Sequence, residues 1–168
     1  MKKLSGNGYK IIKIIHILSA SIWIGSGVVV FFLLAFILNK NNASELLLAV
    51  HYIDLIIIIP ANTVTMITGF IFSIFSNWGF FKNKWIIIKY CINFIPMILG
   101  GIIFAPAIFK MLSIADEIGG DAIIDPDFIK LKYLFNGSLI IILVLLLMAV
   151  FLTVFKPKLG KKLVENTY

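Results

Sequence analysis

The sequence contains no arginine, a single cysteine and few charged residues. Charged residues make up 14% of its 168 residues and apolar residues 61%, with a mean hydropathy of +1.06. A soluble domain has about a quarter charged and about half apolar residues, so this composition excludes a water-soluble globular protein. The lone Cys91 also excludes a disulfide within the chain and a cysteine-rich metal site.

The apolar residues form four long blocks, at 11–38, 55–75, 86–109 and 134–155. Each block reaches the ~20 residues that cross a bilayer. No A-x-A-like cleavage site follows the first block, which is also longer than the apolar core of a signal peptide. We therefore predict one all-α membrane domain over 1–168, a bundle of four transmembrane helices at about 11–38, 44–75, 85–109 and 133–155. The Gly- and Asp-rich segment at about 111–132 is predicted to be an external cap or loop.

The fifteen lysines are distributed unevenly around these spans. Eleven of them precede the first span, surround the second link or follow the last span, and four lie in the first and third links. By the positive-inside rule, both termini are predicted to be cytoplasmic. The positive charge thus indicates a lipid bilayer as the partner, not nucleic acid. Assembly into a homo-oligomer and binding to a partner membrane protein both remain open alternatives.

Four ionisable residues lie at membrane depth, where a charge costs at least ~2.5 kcal/mol. His16 and Lys89 lie near the cytoplasmic ends of the first and third spans, and His51 and Asp54 near the outer end of the second. Lys89 could simply snorkel to the headgroups, and His16 could be an interfacial or hydrogen-bonded core histidine. His51 and Asp54, one turn apart, are best interpreted as an outer-surface pair.

Small and polar side chains recur at helical spacing on three spans, where they indicate faces suited to helix packing. On the first span, Ser21, Gly25 and Gly27 form a stripe that lets another helix approach, and the third span could meet it through Ser21 and Gly25. That contact would place His16 and Lys89 on a common pocket, with Trp23 and Trp85 on either side of it. His16 and His51 start from opposite membrane faces, so we predict that they do not share a ligand. The face with Asn62 and Thr65 is a candidate polar path.

Several short motifs, taken in order, resemble a known family. They are Lys13-x-x-His16, Ile22-Trp23-Ile24-Gly25, the segments Pro60-Ala61 and Thr68-Gly69, Trp78-Gly79-Phe80-Phe81, Trp85-x-x-x-Lys89 and Phe155-Lys156-Pro157. The chain is similar to a family of uncharacterised bacterial and archaeal integral membrane proteins. That family in turn resembles the copper-resistance protein D group and the membrane-bound, haem-binding protoporphyrinogen oxidase.

The resemblance implies a prokaryotic cytoplasmic membrane and a haem b cofactor. It assigns His16 as the axial metal ligand, and Lys89 as the opposite ligand or the partner of a haem propionate. Trp23, seven residues beyond His16 on the same helix face, is a further candidate for the cofactor site. The other histidines of the oxidase group have no counterpart here, so no catalytic residue and no reaction are assigned. Two alternatives without haem remain: a small carrier for metal or small-molecule transport, and an accessory subunit.

Overall fold

The computed structural model describes residues 5–75 and 84–155. It contains four helical segments that are long and apolar enough to cross a membrane, and no strand occurs among the described residues. We name the four segments helix one to helix four in chain order: Gly6–Ile37, Ala43–Phe75, Lys84–Ile124 and Pro126–Phe155. The predicted all-α, four-helix membrane fold is confirmed.

A tight turn makes helices one and two antiparallel. Asn42 Oδ1 accepts a hydrogen bond from the Asn39 backbone N–H at 2.8 Å, and Asn39 Oδ1 accepts one from the Asn41 N–H at 2.9 Å. Asparagine favours such turns because its side chain can bond to nearby backbone groups. The bundle therefore has two ends. We call the end where helix one begins and helix four finishes the terminal end, and the opposite one the cap end.

The helices pack as a ring in which helix one contacts helices two and four, and helix three contacts the same two neighbours. Helices one and three thus lie diagonally and do not meet through Ser21 and Gly25, since both residues are exposed. Helix one instead buries the face that carries Ser19, Trp23 and Gly27. A Cβ on Gly27 would lie 3.3 Å from Leu143 Cδ2 of helix four.

The segment at about 111–132, predicted to be an external cap or loop, is mostly helical. An α-helix continues to Ile118, a 3-10 turn covers Gly119–Ile124, and helix four begins at Pro126. The segment has a fully apolar face despite its many acids. Its buried residues are Met111, Ala115, Ala122 and Phe128.

Charged and polar side chains on the other face join the helices at the cap end. Lys40 pairs with Asp121 at 2.9 Å, and the Ser44 hydroxyl donates to Asp116 at 2.8 Å. The Asp125 carboxylate accepts from the Phe128 backbone N–H at 2.9 Å, which caps the start of helix four. The composition of this segment indicated its acidic residues but not the apolar face that the helices bury.

Helices two and three each contain a π-helical turn shortly before a proline. The turn Asp54–Ile58 precedes Pro60, and the turn Gly100–Phe104 precedes Pro106. Proline has no N–H, which leaves a carbonyl one turn earlier without its usual partner. A local π turn, with its i→i+5 bonds, is one way in which a membrane helix bonds such groups again.

Candidate functional site

A pocket of about 460 Å³ lies at the terminal end of the bundle and contains both His16 and Lys89. The structure thus brings together two of the residues that the sequence singled out, although their helices are diagonal neighbours. Lys89 lies close enough to interact electrostatically with the His16 imidazole. The volume of the pocket is in the range of ligand and cofactor sites, ~300–1,000 Å³. The described lining residues are Tyr9, Lys13, His16, Gly69, Phe72, Ser73, Trp85, Ile86, Lys89, Tyr90, Asn93, Thr153 and Val154.

The His16 ring is oriented by Thr68 of helix two, with 2.8 Å between Nδ1 and the Thr68 Oγ1. The threonine hydroxyl has one proton, and its oxygen lies 2.7 Å from the Val64 carbonyl oxygen and 3.0 Å from that of Thr65. Because carbonyls only accept, the hydroxyl donates within its own helix and accepts from His16 Nδ1. The proton of the neutral imidazole is therefore on Nδ1, and Nε2 keeps its lone pair.

A second hydrogen-bonded pair holds the backbone that carries His16. The buried hydroxyls of Ser19 and Thr65 lie 2.8 Å apart, and Ser19 donates to the His16 carbonyl at 3.1 Å. Both pairs lie between helices one and two, where they fix the rotation of helix one against helix two. These hydrogen bonds direct the Nδ1 edge of the imidazole toward helix two, and the His16 side chain lines the pocket.

Aromatic rings form much of the remaining wall. Phe72 packs edge-on against His16, with ring centroids 5.7 Å apart, and against Tyr9, with centroids 5.3 Å apart. The Tyr90 hydroxyl lies 2.6 Å from the Ser73 hydroxyl and donates to the Gly69 carbonyl at 3.0 Å. Tyr90 therefore attaches helix three to helix two at the pocket. The spacing of Gly69 and Ser73 in the sequence is typical of a helix-packing face, whereas a single tyrosine on another helix carries no such signal.

The electrostatic character of the pocket is positive. Lys13 and Lys89 both line it, and none of the described lining residues is acidic. No described residue forms an ion pair with either ammonium. An anionic ligand with an apolar body would complement these walls, because the aromatic rings would cover the body and the lysines would meet the charge.

The structure does not bring Trp23 to this pocket. Trp23 is 5% exposed and packs in a core cluster with Ala61, Ile92 and Ile142. It lines a different cavity, together with His51 and Asp54. The separation of His16 from His51 agrees with the expectation that they do not share a ligand.

The candidate polar path through Asn62 and Thr65 is not continuous. Thr65 bonds to Ser19 and to the Ala61 carbonyl inside the interface of helices one and two. Asn62 lines the cavity of Trp23. The motif Trp78-Gly79-Phe80-Phe81 and the Lys156-Pro157 pair lie outside the described residues.

In the ranges 5–75 and 84–155, no group of three or more His, Cys, Asp and Glu side chains could hold a metal ion. Among comparisons with known proteins, no curated protein and no solved structure matches the chain. The further likeness to the copper-resistance group and the oxidase therefore stays a prediction. One family model matches residues 10–157, nearly the whole chain. The chain accordingly belongs to the family described as predicted integral membrane protein (DUF2269).

Proposed function

We propose that this membrane protein binds haem b in the pocket of His16 and Lys89, where His16 Nε2 would hold the iron. The observation that carries the proposal is the hydrogen bond from His16 Nδ1 to Thr68. A metal-binding histidine typically donates its other ring N–H to an oxygen acceptor, which fixes the tautomer and the ring orientation. The sequence resemblance and the pocket volume support the same assignment.

The two lysines are suited to the haem propionates. Lys13 and Lys89 reach the same pocket from helices one and three, and no acidic group lines it among the described residues. An ammonium buried beside an apolar wall is stabilised by a carboxylate partner. We therefore assign Lys89 to a propionate and not to the iron, which narrows the alternatives that the sequence left open.

A bound haem would supply one-electron redox chemistry, tuned by its axial ligand and by nearby hydrogen bonds. The protein residues contribute an oriented imidazole, cations for the propionates and rings that exclude water. The role supported by this set is redox or haem handling within the membrane.

The optical spectrum of the purified full-length protein, expressed with added haem, tests the proposal. A sharp absorption band near the blue edge of the visible, in stoichiometric amount, is expected. A colourless protein after expression with ample haem would refute haem binding.

We expect Lys89→Met to weaken haem binding about tenfold, because a hydrogen bond to a charged group contributes ~1.5 kcal/mol. The matched control is Lys84→Met, which removes an exposed lysine at the start of helix three and should bind haem as the wild type does. Titration of haem into each protein measures both affinities. Equal losses of haem affinity in the two variants would show that only the net positive charge of the protein matters, and not the position of Lys89.

We also propose that both termini are cytoplasmic, which would place the pocket toward the cytoplasmic leaflet. The lysine distribution supports this orientation. Single cysteines at Ser113 and Glu165, in a Cys91→Ser background, test it by labelling intact cells with a membrane-impermeant reagent. Label is expected at position 113 only. Labelling at position 165 from outside would reverse the topology.

A further inference from the structure

A second cavity, of about 560 Å³, shares no lining residue with the first. All four helices contribute to its wall, and the π turns of helices two and three face it through Asp54, Ile58, Gly100 and Phe104. A π turn inside a helix frequently marks a functional site. The cavity is therefore a candidate binding site independent of the haem pocket.

The rim of this cavity is exposed on the lateral surface of the bundle. Leu55 and Ile59 of helix two and Met97 of helix three line the cavity, and about half of each side chain is exposed. In a transmembrane bundle such a surface faces lipid. A ligand would thus enter from the bilayer between helices two and three, and its body must be apolar.

One acidic side chain stands in this apolar wall. Asp54 lies about 16 Å from the start of helix two at 1.5 Å per residue, which is inside the candidate span. His51, one turn earlier, is within electrostatic range, but no described residue forms an ion pair or hydrogen bond with the Asp54 carboxylate. The His51 ring packs instead against Phe109, with centroids 5.1 Å apart. A carboxylate in such a place calls for a cationic partner.

Aromatic side chains provide a second feature that favours a cation. Trp23, Phe104 and Phe135 line the cavity, and the two phenylalanine rings lie 4.6 Å apart. The faces of such rings attract ammonium groups, most strongly where water is excluded. Asn62 adds another acceptor, since its buried Oδ1 has no hydrogen-bond partner among the described residues.

We propose that this cavity binds a lipophilic amine: an apolar body that enters from the bilayer, with one ammonium group that pairs with Asp54. The aromatic walls hold the body and the Asp54 carboxylate selects the charge. This site is separate from haem binding, so the failure of one proposal leaves the other standing.

The test uses the full-length protein in phosphatidylcholine nanodiscs and two probes with the same body, 1-(aminomethyl)pyrene and 1-(hydroxymethyl)pyrene. The probe retained by immobilised nanodiscs is extracted and measured by its fluorescence, with empty nanodiscs subtracted. We expect the wild type to bind the amine at least about tenfold more tightly than the alcohol, which corresponds to ~1.4 kcal/mol of binding free energy. Equal binding of the two probes, as for a plain lipid-chain site, or binding of neither would overturn the proposal.

Two variants locate the site. Asp54→Asn should abolish the preference for the amine, whereas Asp116→Asn, an exposed carboxylate at the cap end, should keep it. Gly100→Leu should abolish binding of both probes, because Gly100 lines the cavity and a Cβ there meets no atom within 4 Å, so that a larger side chain would occupy the ligand space. Gly25→Leu, equally open but on the exposed face of helix one, is the matched control. An unchanged amine preference in Asp54→Asn would also overturn the assignment.

Discussion

His16→Ala is expected to yield protein that carries no haem after purification, whereas His51→Ala keeps it. The alanine removes the only imidazole that lines the terminal-end pocket among the described residues. Loss of a hydrogen-bond partner behind a metal ligand typically costs 10–100-fold in affinity, so loss of the ligand itself should cost more than about a hundredfold. The haem absorption band per protein, measured after identical expression, compares the two variants.

A rescue experiment separates ligation from a general effect on folding. His16→Gly should lose haem and recover it when imidazole is added, because a free imidazole can occupy the vacated space beside Thr68 and Phe72. N-methylimidazole, which has no ring N–H, cannot donate to the Thr68 hydroxyl while it binds the iron, and should rescue less well. If His16→Ala binds haem as well as the wild type does, the pocket has another ligand or none.

Thr68→Val is expected to weaken haem binding by about 10–100-fold, because it removes the acceptor of the His16 Nδ1 proton while it keeps the side-chain shape. The bound imidazole would also become a poorer electron donor, so the reduction potential of any haem retained should rise. Affinity from haem titration and potential from a redox titration are the two measurements.

Thr63→Val is the control for this prediction. The Thr63 hydroxyl donates to the Ile59 carbonyl at 2.8 Å, the same bond within its own helix that Thr68 makes to Val64, but it has no histidine partner. Thr63→Val should therefore leave haem affinity and potential unchanged. Thr68→Ser, which restores the acceptor, should recover most of the loss. A Thr68→Val protein with wild-type affinity and potential would show that the His16 tautomer has no role.

The candidate site could be predicted from sequence only in part. His16 and Lys89 stand out because ionisable side chains are rare and costly within a span. Thr68 appeared only as part of a motif, and its contact with His16 joins positions 52 residues apart. Tyr9, Phe72 and Tyr90 gave no signal, since aromatic residues are common in any membrane helix. The assignment of Trp23 to the same pocket failed because positions seven residues apart share a face but lie about two turns apart.

The sequence by itself determined that the chain is a four-helix membrane protein, because no other structure satisfies the backbone of four ~20-residue apolar blocks in lipid. Only the tertiary structure decided which faces meet. Lipid is as apolar as leucine, so small residues such as Ser21 and Gly25 can face it without penalty, and apolar periodicity does not identify an interface. Burial of Met111 and Phe128 likewise made helix out of a segment whose acidic composition indicated a loop. The π turns that precede Pro60 and Pro106 line the second cavity, and no linear pattern in the sequence indicates which other residues complete its wall.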